Sequence, residues 1–324
     1  MTKPTILVTG GAGYIGSHML AMLHDAGYHP VTLDSLVHGH RDAVLFGDFY
    51  HGDISDTALL DSIFSRHAIS AVMHFAAYIE VAESMREPEK YNENNVRKTA
   101  VLLEALIRHR VKYLIFSSTA AVFGDPVYTP IDEAHACAPV NVYGETKWQV
   151  EQMLSALKQE HNLHYGVLRY FNAAGADPDG RLGERHEPET HLIPLILQAA
   201  LGKRSHISIF GSDYPTPDGT CVRDFIHVTD LCRAHLLLLE YLKRGGGECA
   251  FNLGTGHGYS VREVIGTSRR VTGKPIIVKE EGRRQGDPAI LVADGAKARK
   301  ILGWKPELSD LETIINHAWR WYLR

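Results

Sequence analysis

A glycine-rich turn near the start of the chain, VTGGAGYIGSH, joins a short apolar run to a helical pattern. Gly10, Gly13 and Gly16 lack Cβ atoms, so the backbone of this turn can approach a pyrophosphate closely. The helix that follows offers free N–H groups and a dipole that favours an anion. The turn therefore predicts a phosphate-binding site, and the alternative is a tight strand-to-helix connection that binds nothing.

Short runs rich in β-branched residues alternate with longer helical patterns over the first half of the chain. The pattern predicts strands at residues 5–9, 30–34, 71–75, 113–117 and 165–170, and helices at residues 15–26, 57–67, 94–109 and 143–159. Because crossovers between parallel strands are right-handed, this order predicts an α/β fold with a doubly wound parallel sheet of the Rossmann type.

The second half of the chain has a different texture. Beyond residue 177 it is rich in Gly, Pro and charged residues, as in DPDGRLGERHEPETHLIP and GSDYPTPDGT, which predicts a smaller, loop-rich C-terminal lobe. We therefore expect a dinucleotide-binding domain at residues 1–176 and a substrate-binding lobe at residues 177–324. Strand-like patterns within residues 225–255 indicate that this stretch returns to the first sheet.

Composition narrows the class of partner. The chain has 324 residues, of which 44% are hydrophobic and 22% charged, and its net charge is −4 at pH 7. This slightly acidic balance argues against nucleic acid or an anionic membrane as a partner. We find no apolar run of the roughly 18 residues that a membrane span needs, and the first residues enter a strand pattern without a signal peptide.

The cysteines and histidines also limit the possibilities. The four cysteines form no CxxC pair, which predicts neither a disulfide framework nor a zinc site and fits a reducing cytoplasm. The 19 histidines show no HExxH or comparable ligand spacing, and His186 and His191 lie five residues apart in a predicted loop. From the sequence we therefore expect no metal ion.

An acidic residue, Asp34, closes the second predicted strand roughly 20 residues after the glycine turn. A carboxylate at this position accepts hydrogen bonds from both hydroxyls of an adenine ribose and repels the additional phosphate of NADP. Asp34 therefore favours NAD as the cofactor. The alternative is a turn residue or a helix cap, which are common roles for aspartate at the end of a strand.

Tyr143 and Lys147, in VYGETK, are four residues apart and share one face of a predicted helix. Ser117, Ser118 and Thr119 end a predicted strand upstream, and such strand ends face the cofactor crevice in doubly wound sheets. A lysine ammonium and a nicotinamide cation would both favour the tyrosine phenolate, which makes Tyr143 a candidate base. The alternative is an exposed helix pair without a catalytic role.

Two arginines, Arg223 and Arg284, lie in sequence with a loop-like pattern. Two guanidinium groups suit the charged, bidentate recognition of a diphosphate. The alternative is that both are solvated surface residues.

The order of these motifs resembles that of the extended short-chain dehydrogenase/reductases, and within that family it is similar to the UDP-glucose 4-epimerases. The likeness covers nearly the whole chain, through TGGAGYIGSH, HFAA, NNV, SST, YGETK, RYFNAAGA, HLIP, IFGSDYPTPDGTCVRDFIHV, NLGTG and RRQGDPAILVAD. It implies an NAD-dependent enzyme that inverts C4 of UDP-glucose and UDP-galactose through a transient 4-keto sugar, with the C-terminal lobe binding the UDP-sugar.

The resemblance also assigns roles to residues. It makes Tyr143 the catalytic base, has Lys147 lower the pKa of that base, and has Thr119 bind the sugar O4. The implied cofactor-binding residues are Gly10, Gly13, Tyr14, Ile15, Gly16, Asp34, Asp53, Ile54, Phe75, Ala76, Ala77, Asn94, Ser117, Tyr143, Lys147 and Tyr170. The implied substrate-binding residues are Thr119, Asn172, His191, Leu192, Phe210, Arg223, Arg284, Asp287 and Leu291.

Three positions depart from the family pattern. Ile79 replaces a lysine that some members place near the cofactor phosphates, so the resemblance implies a weaker hold on NAD. His191 replaces a frequent asparagine but keeps hydrogen-bonding capacity toward the diphosphate. Leu291 occupies a variable position where bulk decides whether an N-acetyl group fits. We therefore expect weak or no use of UDP-N-acetylhexosamines.

Alternative functions remain open at this point. The chain can be a UDP-xylose/UDP-arabinose 4-epimerase or another NAD-dependent nucleotide-sugar epimerase or dehydratase, or a non-catalytic NAD-sensing protein. A dehydratase needs acidic groups beside Thr119, where this sequence has Ala120 and Ala121. Family members often pair through two helices of the cofactor domain, so we expect a homodimer that uses the helices at 94–109 and 143–159.

Overall fold

The computed structural model describes residues 3–247, 249–284 and 286–324, with the backbone but not the side chains of residues 158–160. The strands are β1 Thr5–Thr9, β2 His29–Asp34, β3 Asp48–His51, β4 Ile69–His74, β5 Tyr113–Thr119, β6 His164–Tyr170, β7 Asn172–Ala174, β8 Ile207–Phe210, β9 Val222–Arg223, β10 Phe225–His227, β11 Cys249–Leu253, β12 Tyr259–Ser260, β13 Val278–Glu281 and β14 Ile290–Leu291. The α-helices are α1 Tyr14–Asp25, α2 Thr57–Arg66, α3 Val81–Arg86, α4 Pro88–Tyr91, α5 Lys98–Arg108, α6 Val142–Glu160, α7 Leu192–Ala200, α8 Val228–Lys243, α9 Val261–Thr272, α10 Ala296–Leu302 and α11 Leu311–Tyr322.

Within the described residues, seven parallel strands form the central sheet in the order β11-β6-β5-β4-β1-β2-β3. The chain runs outward from β1 to β3, then crosses to β4 on the other side of β1 and continues away from it. The strand order therefore reverses between β1 and β4, and a crevice forms at the carboxyl ends of these strands. The predicted doubly wound parallel sheet is confirmed.

Helices cover both faces of the sheet, and the alternation of side chains along β1 shows how. Ile6 and Val8 pack into a buried cluster with α1, α8 and α10, whereas Leu7 packs into a second cluster with α2, α5 and α6. Because successive strand residues point to opposite faces, an apolar run of this kind is buried on both sides. Each such side chain contributes about 1.5–3 kcal/mol through its burial.

The C-terminal part has a third buried cluster, built from α7, α9, α11 and strand β8. Residues 177–191, ahead of α7, form the irregular segment that the sequence predicted for this lobe. Of the two strands in 225–255, β11 pairs with β6 at the edge of the central sheet, while β10 pairs with β7 outside it. The division into domains at residue 176 stays a prediction.

Two local features differ from the sequence pattern. The predicted helix at 94–109 begins with a π-helical segment, Asn92–Arg97, before α5. The sequence pattern did not predict the edge strand β3, because this strand has only four residues, DFYH, and they are half-buried or exposed. Among the described residues, each helix is too short or too polar to span a lipid bilayer.

Candidate active site

A crevice of about 490 Å³ lies at the carboxyl ends of the central strands, between the sheet and the segment that leads into α7. Most of the predicted cofactor-binding residues line it: Gly10, Gly13, Tyr14, Ile15, Gly16, Asp34, Asp53, Ile54, Phe75, Ala76, Ala77, Asn94, Tyr143 and Tyr170. The predicted substrate-binding residues that line it are Thr119, Asn172, His191, Leu192 and Arg223. The fold thus brings together side chains from both halves of the chain.

The glycine turn forms one wall of the crevice. Gly10 has a φ of +74°, and a Cβ there would lie 2.6 Å from the backbone nitrogen of Ala76. A Cβ on Gly16 would lie 2.1 Å from the carbonyl oxygen of Gly10. Gly13 precedes α1 without a side-chain cap, so the first N–H groups of the helix remain open toward the crevice. Such a turn can hold a pyrophosphate.

Asp34, at the end of β2, is buried and its carboxylate is held by backbone amides. One oxygen accepts from Ala12 N–H at 2.9 Å and the other from Leu36 N–H at 2.8 Å. Burial raises the pKa of Asp34 above its ordinary value, although these two hydrogen bonds oppose that shift. Asp34 therefore holds the turn in place and also lines the crevice. This position is compatible both with a turn residue and with the predicted contact to the cofactor.

The neighbouring wall follows the ends of β3 and β4. Asp53 is paired with Lys98 at 2.6 Å, and although burial favours the neutral carboxyl, the Lys98 hydrogen bond brings the pKa of Asp53 below its ordinary value. The N–H groups of Phe75 and Ala76 both donate to the carbonyl of Thr9, which turns the chain after β4 across the glycine turn. These contacts give the crevice a preformed edge.

Tyr143 lies in the first turn of α6 and reaches the crevice. The side chain of Asn141 caps this helix by accepting from Gly144 N–H at 2.8 Å. Burial raises the pKa of Tyr143 to about 12, and a hydrogen bond with the Thr119 side chain acts in the opposite direction. A phenol and a hydroxyl are thus adjacent at the end of β5, on the same side as the glycine turn.

Lys147 and Ser117 lie directly behind Tyr143 rather than in the crevice wall. The Lys147 Nζ donates to the Ser117 carbonyl at 2.9 Å and is buried, which lowers the pKa of Lys147 to about 7 against the opposing effect of the Glu151 carboxylate. The Ser117 hydroxyl lies 3.0 Å from the ring nitrogen Nε2 of His235. Ser118 points away, with its hydroxyl donating to Glu151. Of the three hydroxyl residues expected at this strand end, only Thr119 therefore reaches the crevice.

Arg223 continues the crevice toward the C-terminal lobe. Its guanidinium donates to the carbonyls of Val222 and Pro288, both at 2.9 Å, and pairs with Asp287 at 3.4 Å. Asn172 donates its side-chain amide to the carbonyl of Asp224 at 2.9 Å. Both side chains are positioned by backbone contacts.

A second cavity of about 210 Å³ adjoins the first and shares Arg223 and Leu192 with it. Phe210, Arg284 and Asp287 also line it, with the Arg284 guanidinium 3.8 Å from the centre of the Phe210 ring. Leu291 lies in the wall of neither cavity. It is on β14, opposite Arg223 of β9, and packs against a small apolar cluster.

Sequence reasoning missed part of the crevice wall. Glu184 and His186 line the crevice beside His191, and the Nδ1 atoms of both histidines lie within 3.0 Å of one Glu184 oxygen. Irregular spacing along a loop gives no periodic signal for such a cluster. Two acidic neighbours raise the pKa of His191 to about 10 even though burial opposes this.

The model of the NAD dependent epimerase/dehydratase family matches residues 6–254 of the chain. The chain belongs to this family. The relationship predicted from the sequence motifs, and the NAD dependence that it implied, are confirmed.

Relatives of this family member resemble it over almost their full length. A UDP-glucose 4-epimerase of Halalkalibacterium halodurans is 53% identical over 317 residues, which are 98% of this chain and 95% of the relative. The crystal structure of UDP-glucose 4-epimerase from Brucella ovis in complex with NAD matches with a TM-score of 0.96 and 50% identity, covering 98% of both chains. That from Bifidobacterium longum, in complex with NAD+ and UDP, has a TM-score of 0.94 and 38% identity over 98% of both.

Proposed function

We propose that this protein is an NAD-dependent epimerase that inverts C4 of UDP-glucose and UDP-galactose through a transient 4-keto sugar. The observation that carries the proposal is the shared crevice. Tyr143 and Thr119 interact with each other at the same carboxyl-terminal edge of the sheet as the glycine turn and Asp34. Relatives at about half identity over the full chain are named UDP-glucose 4-epimerases, which supports the choice of reaction.

The residues present suit NAD. The glycine turn leaves room for a pyrophosphate where a Cβ would clash, and the open N-terminus of α1 favours its charge. In this proposal the Asp34 carboxylate binds the adenine ribose, Asp53 and Ile54 meet adenine, and Asn94 and Tyr170 help to seat the cofactor. Phe75, Ala76 and Ala77 line the path between. NAD held by these residues would supply a reversible hydride acceptor for C4 of the sugar.

Tyr143 acts as the acid–base group for the C4 hydroxyl of the sugar. Its phenolate takes the proton of the C4 hydroxyl as the sugar is oxidised, and the phenol gives that proton back to O4 when the sugar is reduced. With a pKa of about 12, roughly one phenol in 10⁵ is ionised at pH 7, so Tyr143 needs a positive charge nearby to act as a base. Protonated Lys147, held against the Ser117 carbonyl behind it, and the cofactor are the two sources of that charge.

The substrate occupies the part of the crevice beyond Thr119. Thr119 hydrogen-bonds O4 of the sugar, while Arg223 and Arg284 bind the diphosphate with help from Asn172, His191 and Leu192. Phe210 stacks on uracil and Asp287 binds the uridine ribose. Because Arg223 lines both cavities and Arg284 lines the second, the nucleotide can stay anchored there while the hexose turns over between oxidation and reduction.

The test of the function is direct. The purified protein is incubated with UDP-galactose, with and without added NAD, and UDP-glucose formation is followed by NMR. We expect interconversion, and a Tyr143→Phe variant should be at least 10²-fold slower, because a positioned acid–base group contributes about 10²–10⁴ in rate. A Tyr143→Phe variant with a near wild-type rate contradicts the role of Tyr143, and no interconversion by the wild type contradicts the reaction.

The assembly and the location belong to the same proposal. On the two helices expected to pair, Ala100 and Ile107 of α5 and Met153 of α6 are half-buried and Ala156 of α6 is exposed, which is compatible with a homodimer. Light scattering that gives the mass of a single chain contradicts it. A cytoplasmic location, expected from the sparse and widely spaced cysteines of the sequence, is part of the same proposal.

A further inference from the structure

Four side chains with metal-ligating atoms converge beside the crevice, between β7 and α7. They are Glu184, His186, Glu189 and His191, and one ligand atom from each lies within 4.8 Å of all the others. All four belong to one irregular segment, and His191 is the residue that precedes α7. The arrangement has no counterpart in the proposed reaction, which leaves Glu184, His186 and Glu189 without a role.

The distances suit a small tetrahedral ion. The Nδ1 atoms of His186 and His191 lie 3.0 and 2.9 Å from Oε1 of Glu184, and Nδ1 of His191 lies 3.1 Å from Oε1 of Glu189. A zinc ion bound to nitrogen and oxygen at about 2.0–2.1 Å sets neighbouring ligand atoms about 3.3 Å apart. The three distances given lie within a few tenths of an ångström of this separation, and the remaining ligand atoms lie within 4.8 Å of one another.

The two carboxylates are buried, and the histidines contact only one oxygen of each. The side chains of Glu184 and Glu189 are only 5% and 4% exposed. The Oε2 of Glu189 is buried and has no hydrogen-bond partner among the described residues. Because burying an unpartnered carboxylate oxygen is costly, such an atom indicates a missing ligand. A divalent cation balances both negative charges at once.

We infer that Glu184, His186, Glu189 and His191 bind one divalent ion of the zinc class. Two imidazole nitrogens with two carboxylate oxygens are donors that zinc accepts, whereas magnesium and calcium prefer oxygen alone. The backbone N–H groups of Thr190 and His191 donate to Oε1 of Glu189 and fix its orientation. The bound ion ties this segment together at the crevice wall. This inference differs from the expectation, drawn from sequence spacing, that the chain holds no metal, and that expectation stays a prediction until metal is measured.

A second group of possible ligands gives a matched control. His29, Asp48 and His67 also bring ligand atoms together, but they number three, and the Asp48 side chain is 51% exposed. The Nε2 of His67 is engaged by the Tyr50 hydroxyl at 2.8 Å. His67→Gln thus removes an imidazole from a partly exposed cluster, as His186→Gln removes one from the proposed site.

The test measures metal directly. The full chain is stripped with a chelator, loaded with zinc, dialysed against metal-free buffer and analysed by mass spectrometry for zinc per chain. We expect about one zinc per chain in the wild type and in His67→Gln, and loss of the retained zinc in His186→Gln. Cobalt loaded in place of zinc should give the intense visible bands of a tetrahedral site in the first two proteins only.

Two results overturn the inference. One is a wild type that retains no more zinc than His186→Gln, and the other is zinc lost in His67→Gln but kept in His186→Gln. Circular dichroism of the metal-free proteins shows whether His186→Gln folds, and if it does not, Glu189→Gln and the cobalt spectrum of the wild type decide the question. Because these measurements need no substrate, their outcome is independent of the proposed epimerisation.

Discussion

Acidification from about pH 7.5 to about pH 5.5 should destabilise this protein, because three buried histidines stay neutral in the folded state. Burial lowers the pKa of His74 and of His227 to about 3, and that of His235 to about 4. His235 shows why protonation is resisted. Its Nδ1 lies 2.9 Å from the Leu231 carbonyl and its Nε2 lies 3.0 Å from the Ser117 hydroxyl, so the second nitrogen serves as an acceptor.

The magnitude follows from the difference between folded and unfolded pKa values. In the unfolded chain each imidazole titrates near 6.5, so that state takes up protons across this pH range while the folded state does not. The pKa values of the three histidines in the folded state lie below the value in the unfolded chain. Their contribution to stability is therefore present above about pH 6.5 and is lost as the pH falls toward 4. Each histidine costs about 1.4 kcal/mol between the two pH values, and the three together about 4 kcal/mol.

Urea unfolding at both pH values tests this for one residue. The pH-dependent loss of stability should be about 1.4 kcal/mol smaller in His235→Gln than in the wild type, since one buried titration has been removed. His24→Gln is the matched control, because it takes away an exposed imidazole on α1. If His235→Gln loses as much stability on acidification as the wild type, then His235 is not a source of the acid sensitivity.

Three further predictions concern single side chains around the crevice. Arg169 pairs with buried Glu151 at 2.6 Å, so Arg169→Met should lower the free energy of unfolding by about 3–5 kcal/mol. A double variant with Glu151→Met should lose less stability, and equal losses for the two variants in urea unfolding would contradict this. Thr119→Ser should keep most of the activity, whereas Thr119→Val should reduce kcat/KM by about 10- to 100-fold, which is the cost of losing one hydrogen bond to a charged group. Equal kcat/KM values for the two variants would show that the Thr119 hydroxyl takes no part in the reaction. The wild type should turn over UDP-N-acetylgalactosamine far more slowly than UDP-galactose, and comparable turnover of the two would contradict this. Because Leu291 lines neither cavity, Leu291→Ala should change that ratio by less than about twofold, and a tenfold change would show that Leu291 limits the pocket.

The central sheet could be predicted from the sequence because local and tertiary preferences agree there. Strands such as β1 and β5 are continuous apolar runs between turns, and burial on both faces requires that pattern. The glycine turn was informative for a similar reason. Gly10 has a positive φ, and Gly16 lies so close to Gly10 that a Cβ would clash. Glycine alone fits at these two positions, so the residue type itself predicts the conformation of the turn.

The candidate site was harder to predict where a side chain's direction matters more than its position. Ser117, Ser118 and Thr119 are consecutive, yet one faces His235, one faces Glu151 and one faces the crevice. Neighbouring strand residues alternate in direction, and the strand end then decides which hydroxyl is accessible. A motif of three hydroxyls predicts that a site exists here but not which residue serves it.

The interaction of Arg284 with Phe210 presents a similar limit. The sequence motifs predicted separate contacts with phosphate and uracil, whereas in the folded chain the guanidinium lies over the ring. The two residues are distant in sequence, and no local pattern connects them. The proposed stacking of uracil on Phe210 requires the other face of the ring or a movement of Arg284, so the two proposed contacts with the nucleotide are coupled.

Tyr143 shows most clearly what sequence cannot supply. The spacing of Tyr143 and Lys147 suggested a phenol with a lowered pKa, but burial dominates in the folded chain and raises that pKa to about 12. Burial also brings the pKa of Lys147 down to about 7, so neither group is fixed in its charged form by the protein alone. A cation bound in the crevice would lower the pKa of both groups, which favours the phenolate of Tyr143 but opposes protonation of Lys147. The proposed base is therefore activated by the positive charge of the bound nicotinamide as well as by its helix neighbour.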